Sequence, residues 1–283
     1  MPNLYKITTN GERGEEVYPL GETLSVTYHD IFDFPLNFQE LVRWRAGEAF
    51  PKAKTELNVT SKGGFYFLEG REGSIYKRIL RARISSRKME IAKRAAKYLA
   101  FVPGVKMVAV TGSLAMKNAA GDSDIDLMLI TAGGKLWTTR FLTYLFLKIA
   151  GFAVRKPFDK NQKDKLCLNI WLDESALKWQ GEENCYIAHE IGQILPLINK
   201  NETYEKLLWE NKWILNFWPN SVKITRPRLL VRSKVKRGLI EKVAYRFQLL
   251  RMRSKITSEK VGQTRALFHP ADISTFVLSR FST

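Results

Sequence analysis

The chain has 283 residues, 45% of them hydrophobic, enough to bury a sizeable core or divide into two or three units, which excludes a disordered protein. Its two cysteines, Cys167 and Cys185, are too few for a disulfide framework and lack the spacing of a structural zinc site, so a reducing compartment, the cytoplasm, is expected. The +18 formal charge is concentrated in residues 71–97, with 10 Lys/Arg against 2 acids, and residues 221–260, with 13 against 2, which points to polyanion partners.

The first 20 residues have no apolar core of a signal peptide and read as a flexible tail. From Gly21 to about Lys52 the periodicity is helical, broken at Pro35, with Asn37 as an N-cap and Glu40 three residues on. A short segment near residues 55–60, a turn at Gly63-Gly64 and the strand "FYFLEG" follow, an order that suits a winged helix over 21–72. Residues 73–100 read as a long amphipathic helix with Ile75, Ile79, Ile84, Ile91, Ala95 and Leu99 turned inward.

Three strands are expected at Val105–Gly112, Ser123–Thr131 and Leu166–Asp173, with a short helix, "SLAMKNAA", between the first two. The apolar window Leu136–Phe152 carries Arg140 and Lys148 and is too short to span a bilayer, so it reads as a helix packed on the sheet, and no integral membrane span is expected. Residues 182–198 and 202–218 read as helices, the second stopped by Pro219, ahead of a helical, basic C-terminal region.

The chemistry lies in "GSLAMKNAAGDSDIDL". Alternate residues of a strand share a face, so Asp124 and Asp126 stand side by side while Ile125 and Leu127 enter the core. Two such carboxylates repel unless a cation lies between them, and two hard oxygens suit Mg²⁺, with Mn²⁺ as a substitute, because that ion takes its other ligands from water and phosphates. Upstream, Gly112 and Ser113 end a strand and open a helix, where backbone N–H groups and a hydroxyl can hold phosphate oxygens. Lys117 adds charge one turn on.

These residues resemble the signature of the DNA polymerase beta-like nucleotidyltransferase superfamily, a Gly-Ser turn followed at fixed spacing by Ser-Asp-x-Asp, with Ala115, Ala119, Ser123, Asp124, Ile125 and Asp126 in register. The resemblance implies an α+β fold in which residues 73–180 form a nucleotidyltransferase domain, a mixed β-sheet flanked by helices, after the winged-helix-like 21–72 and before the helical 181–283. It implies transfer of a nucleoside monophosphate from an NTP, with Gly112 and Ser113 at the β and γ phosphates and Asp124 and Asp126 on the metals; Lys117 and Ser123 are further candidates at the nucleotide. The flanking runs "DIFDFPL", "DKLCLNIWLDE", "AHEI" and "FHPAD" are similar to bacterial proteins described only as nucleotidyltransferase-like.

Two positions depart from the pattern. Lys117 stands where a glycine often does, and Asn169 occupies the centre of the strand face on which active members carry a third carboxylate. Asp173 has the same strand parity and is the candidate for that acid, with a cap of "DESAL" as its alternative role; Asp164 is a further candidate by position. His189 in "HEIGQ" lacks the second histidine of a zinc helix, since Gln193 stands there, and His269 reads as a turn residue.

The leading expectation is a Mg²⁺-dependent enzyme acting on an RNA end, a small molecule or a protein. The alternative is a weak or inactive nucleotidyltransferase fold serving as a nucleic-acid-binding or regulatory module, with RNA or DNA held by residues 71–97 and 221–260. A third reading lays the basic C-terminal helix on an anionic membrane surface.

Overall fold

A computed structural model describes residues 8–10, 15–17, 19–51, 58–156, 159–228, 235–253, 260–268 and 273–281. His269 and the rest of "FHPAD" after Phe268 lie outside the described residues. The fold is mixed α+β, with three sheets among the described residues.

At the N-terminus, where a loose tail is expected, β1 (Thr8–Asn10) pairs antiparallel with β2 (Glu15–Val17). Helix α1 (Leu20–Asp30) is followed by β3 (Leu36–Asn37) and α2 (Phe38–Arg43). Asn37 caps α2 by accepting from the Glu40 N–H at 2.9 Å, while the Asn37 N–H donates to Glu40 Oε2 at 3.0 Å. Strands β4 (Val59–Lys62) and β5 (Phe65–Leu68) form a hairpin whose two-residue turn needs positive φ twice, which Gly63 (+60°) and Gly64 (+81°) supply. Strand β3 completes a sheet ordered β3-β5-β4.

The apolar cluster of α1 and α2 is not self-contained. It runs on into Cys185, Ala188, Ile214, Trp218, Val277 and Phe281 from the C-terminal third.

Helix α3 (Gly73–Leu99) has the expected span but a different inner face. Its C-terminal half buries Ala92, Ala95, Ala96 and Leu99, whereas the N-terminal half turns Ser74, Arg78, Ser85 and Lys88 inward and leaves Ile79 exposed. Ser85 Oγ accepts from the Ala119 N–H at 3.0 Å, whereas Ser74 Oγ and Arg78 Nε are buried with no partner among the described residues. Arg78 pairs with Glu40 at 2.6 Å, and Lys88, 1% exposed, donates to Asp164 and to the Ser123 carbonyl at 2.8 and 2.6 Å.

The central sheet is built from β6 (Val105–Val110), β7 (Ile125–Thr131), reached through the one-turn helix α4 (Gly112–Ala115), and, after α5 (Leu136–Ile149), β8 (Leu166–Asp173). Helix α6 (Cys185–Gly192) leads into β9 (Leu195–Asn199), then α7 (Thr203–Glu210) and α8 (Ile214–Phe217). Helix α9 (Leu239–Met252), β10 (Lys260–Val261), β11 (Arg265–Leu267) and α10 (Ile273–Ser279) follow. Strand order is β10-β11-β8-β7-β6-β9, with β7 and β8 parallel and the other pairs antiparallel.

Three helical expectations are corrected. Leu195–Asn199 is an edge strand that covers β6, a place that tolerates Pro196 with its missing N–H. Residues 202–218 break into α7 and α8 at Asn211, whose amide donates to the Leu177 and Leu207 carbonyls. The basic C-terminal region contains the β10–β11 hairpin as well as α9.

One sheet face packs Val108, Val110, Leu127, Leu129 and Trp171 beneath α3 and α5. Helix α5 keeps Leu136, Trp137 and Leu147 inward as expected, and its first turn is capped from α9, where Glu241 accepts from the Trp137 and Thr138 N–H groups at 2.7 and 2.9 Å. The opposite face carries Met107, Ala109, Met128, Ile130 and Leu172. Among the described residues no helix is long and apolar enough to cross a membrane.

Candidate active site

The acids sit where β6 hands over to β7. The Thr111 N–H donates to the Asp126 carbonyl at 3.2 Å, and Gly112 then turns the chain at φ +59°. A Cβ there would stand 2.9 Å from Asp126 Oδ2, so glycine is required both by the left-handed backbone and by the close approach of the carboxylate. Ser113 and Lys117 are exposed on the turn that follows. Lys117 has φ +57°, a left-handed backbone that glycine would adopt without strain. Ser123 shapes the approach to Asp124: its hydroxyl donates to the Ala120 carbonyl at 3.0 Å and its own carbonyl accepts from Lys88.

Asp124 and Asp126 meet Cys167 of β8, with one ligand atom from each within 4.8 Å of the others, a cluster that could hold a metal ion. Burial and then the Asp124 charge push Asp126 up to about 7. Asp124 is held by Arg155, whose Nη1 donates to Oδ2 at 2.6 Å and lies 3.7 Å from Cys167 Sγ. Burial, then the two aspartates, push the Cys167 thiol well up, so it is neutral.

Two crowded carboxylates, of which Arg155 hydrogen-bonds only Asp124, fit a hard divalent cation that completes its coordination from water and phosphates. A neutral thiol is no magnesium ligand. A cation held here would need Asp126 ionised, so its affinity should fall about tenfold per pH unit below about 7, which Mn²⁺ titrations at pH 5.5, 6.5 and 7.5 check; a flat profile would contradict it.

The candidate third carboxylate is not brought to the pair. Asp126 is opposite Cys167, Leu127 opposite Leu168, but Met128 is opposite Ile170, so β8 bulges at Asn169. That extra residue inverts the parity beyond it: Ile170 and Leu172 join the acids' face, and Trp171 enters the opposite core. Asp173 sits at the far end of the strand, opposite Thr131, where its carboxylate accepts from the Gly134 N–H at 2.6 Å, the Ser175 N–H at 2.9 Å and the Ser175 hydroxyl at 2.6 Å. It is a turn residue, the "DESAL" cap. Asp173→Ala should cost about 2 to 3 kcal/mol in denaturant unfolding and leave Mn²⁺ affinity unchanged; the reverse pattern would restore it to the site.

Asp164 is likewise engaged elsewhere, by Lys88. Asn169 does face the site. Its Nδ2 donates to Asp126 Oδ1 at 2.7 Å, and its Oδ1 is buried with no partner among the described residues.

Two participants are absent from the sequence reading. Arg155 lies in a loop with no motif, placed by its N–H donating to the Leu166 carbonyl at 2.9 Å. Glu190 of α6 is pushed up to about 7 by burial and then by the Asp126 charge; Gln193 Nε2 donates to its Oε1 at 2.5 Å. The sequence signal for Glu190 is the run "AHEI", where it follows His189. His189 is a core residue, stacked on Trp44 at 3.9 Å between ring centroids, with its Nε2 3.1 Å from that of His29.

Six of the ten cations in residues 71–97 (Arg71, Lys77, Arg78, Arg81, Lys88 and Lys93) pair with carboxylates of the chain itself. No protein-family model, curated protein or solved structure matches the chain.

Proposed function

We propose that this chain is a nucleotidyltransferase that moves a nucleoside monophosphate from an NTP to an acceptor and releases pyrophosphate. The observation that carries the reading is the close fit of Gly112 against Asp126, which sets a left-handed glycine turn beside two crowded carboxylates. Asp124 and Asp126 would hold Mg²⁺, which supplies charge neutralisation at the triphosphate and at its leaving oxygen.

The remaining roles belong to the chain. The Gly112–Ser113 backbone and the Ser113 hydroxyl face the β and γ phosphates, with Lys117 adding charge from the same turn. Arg155, already a cation at Asp124, is placed to turn its guanidinium to a phosphate oxygen. Glu190, rather than a β8 carboxylate, takes the acceptor's proton, since a group near pH 7 can both hold and release one. Free Cys167 and Cys185 suit a reducing cytoplasm.

One observation favours a second reading. Asn169 presents a neutral amide to Asp126 where active relatives of the pattern carry an acid, as expected of a module that binds NTP without turning it over. In that case the α1–β3–α2–β4–β5 unit would act as a winged helix, and unpaired cations of 71–97 and 221–260 would hold RNA or DNA.

Incubation with each labelled NTP, Mg²⁺ or Mn²⁺ and candidate acceptors separates the two. Pyrophosphate release that is lost in Asp124→Asn supports the enzyme. NTP binding without release, together with salt-dependent nucleic-acid binding that survives the substitution, supports the module.

A further inference from the structure

The acids' face of the sheet does not close on itself. Beneath α6 lies a cavity of about 390 Å³, floored by Met128, Ile170 and Leu172 and roofed by Ile187 and Ile191. Met128 is two residues from Asp126 on the same face of β7, a separation of about 7 Å, so the cavity starts beside the acid pair. Its wall toward that pair is polar, formed by Thr111, which precedes Gly112, and by Glu190.

The wall away from the acids is cationic. Lys178, Lys260 and Arg265 line it, and none of the three is ion-paired with a carboxylate among the described residues. Arg265 is partly buried, which lowers its pKa, and its Nη2 donates to the Ala176 carbonyl at 3.3 Å. An apolar chamber with convergent cations at one end and a carboxylate at the other is a small-molecule site rather than a groove for a polymer. A larger hollow of about 620 Å³ beside α9 contains none of these residues; Trp137, which lines it, belongs to the opposite face of the sheet.

We infer that this cavity is the acceptor site and takes a small amphipathic molecule, an apolar body the size of two rings, with an anionic group at Lys178, Lys260 and Arg265 and a hydroxyl turned to Asp126 and Glu190. The size follows from the observation that a cavity of roughly 150 Å³ admits one benzene ring. The assignment of this ligand as acceptor rests on the nucleotidyl-transfer reading above. In that reaction the hydroxyl oxygen bonds to the α-phosphorus of the NTP and the bond from that phosphorus to the bridging oxygen breaks. Pyrophosphate leaves with the electron pair, and the hydroxyl proton passes to Glu190.

The probe is 6-hydroxy-2-naphthoate, with 2-naphthol as its form without the anion, titrated by calorimetry into the full chain. One-to-one binding is expected, at least tenfold tighter than 2-naphthol, weakened at least tenfold by Lys260→Glu/Arg265→Glu and by Ile187→Trp, and unchanged in Asp124→Asn. The charge reversals lie at the cavity's outer wall, so they report even if the tryptophan disturbs folding. Absence of saturable binding, or binding indifferent to both the charge reversal and the missing carboxylate, would overturn the inference. Naphthoate binding with these sensitivities but no transfer from any NTP keeps the cavity site and removes the transferase reading. Transfer to an RNA end that continues undiminished in Ile187→Trp overturns the cavity as acceptor site and keeps that reading.

Discussion

Asp126→Asn should abolish nucleotidyl transfer while leaving the fold as stable as the parent or more so. The substitution is nearly isosteric and keeps a hydrogen-bonding group against Asn169. It removes one of the two carboxylates proposed to hold a divalent cation, and with it the charge that would draw that cation in, for which a loss of about a thousandfold in turnover, about 4 kcal/mol, is the expected scale.

The stability side follows from the same observation with opposite sign. An acid held at about 7 in the folded chain against 3.8 ordinarily is, above that pH and without a cation, a charge that folding disfavours. Replacing it with an amide relieves the crowding with Asp124. Pyrophosphate release and thermal unfolding at pH 8 in chelator check both halves. An active variant, or one that unfolds at a much lower temperature, would contradict this assignment of Asp126.

The second large effect is acid destabilisation through the buried His29–His189 pair. His29 Nδ1 is 2.8 Å from the Ser25 carbonyl, which can only accept, so Nδ1 carries the proton and Nε2 of the neutral ring accepts from His189 Nε2. Both rings are packed among Tyr28, Trp44 and Trp218, and among the described residues no carboxylate pairs with either imidazole.

Burial lowers His29 to about 4 from 6.5 and places His189 well below its usual value. The unfolded chain therefore takes up protons first as pH falls. Stability present above pH 6.5 is lost progressively down to about pH 4, by about 3 kcal/mol for His29 alone and more with His189.

Asp126 and Glu190 run the other way. Each is raised to about 7, so each contributes stability below its ordinary value of 3.8 or 4.5 that is lost as pH rises toward 7. The histidine trend is therefore read in an Asp126→Asn/Glu190→Gln background, by urea unfolding at pH 7, 6, 5 and 4. His29→Gln in that background should flatten the profile by about 3 kcal/mol. An unchanged profile would mean that the pair titrates normally.

The particulars show where sequence reasoning reaches and where it stops. Local rules are legible: the Asn37 and Glu40 capping box, the Gly63-Gly64 turn and the β6–β7 pair form as spacing demands, although β7 starts at Ile125 and leaves Asp124 just ahead of it. The departure at Lys117 falls on a left-handed backbone position.

What failed was parity carried through an irregularity. A single bulge at Asn169 moved Asp173 off the acids' face, and nothing in "LCLNIWLD" announces a bulge. Leu195–Asn199 departs from helical periodicity for a related reason, since a short apolar run containing proline suits an edge strand only beside a partner edge. Arg155 and Glu190 reach the site through tertiary packing across 31 and 64 residues of chain from Asp124 and Asp126, respectively, a separation that periodicity cannot bridge.

The most direct test of the account is Mn²⁺ binding, followed by electron paramagnetic resonance at pH 7.5, with and without an α,β-methylene nucleoside triphosphate. The wild-type chain should hold manganese more tightly when the triphosphate is present, and Asp124→Asn/Asp126→Asn should hold none under either condition. Equal binding by the wild-type and doubly substituted chains would contradict the assignment of this acid pair as a metal and triphosphate site.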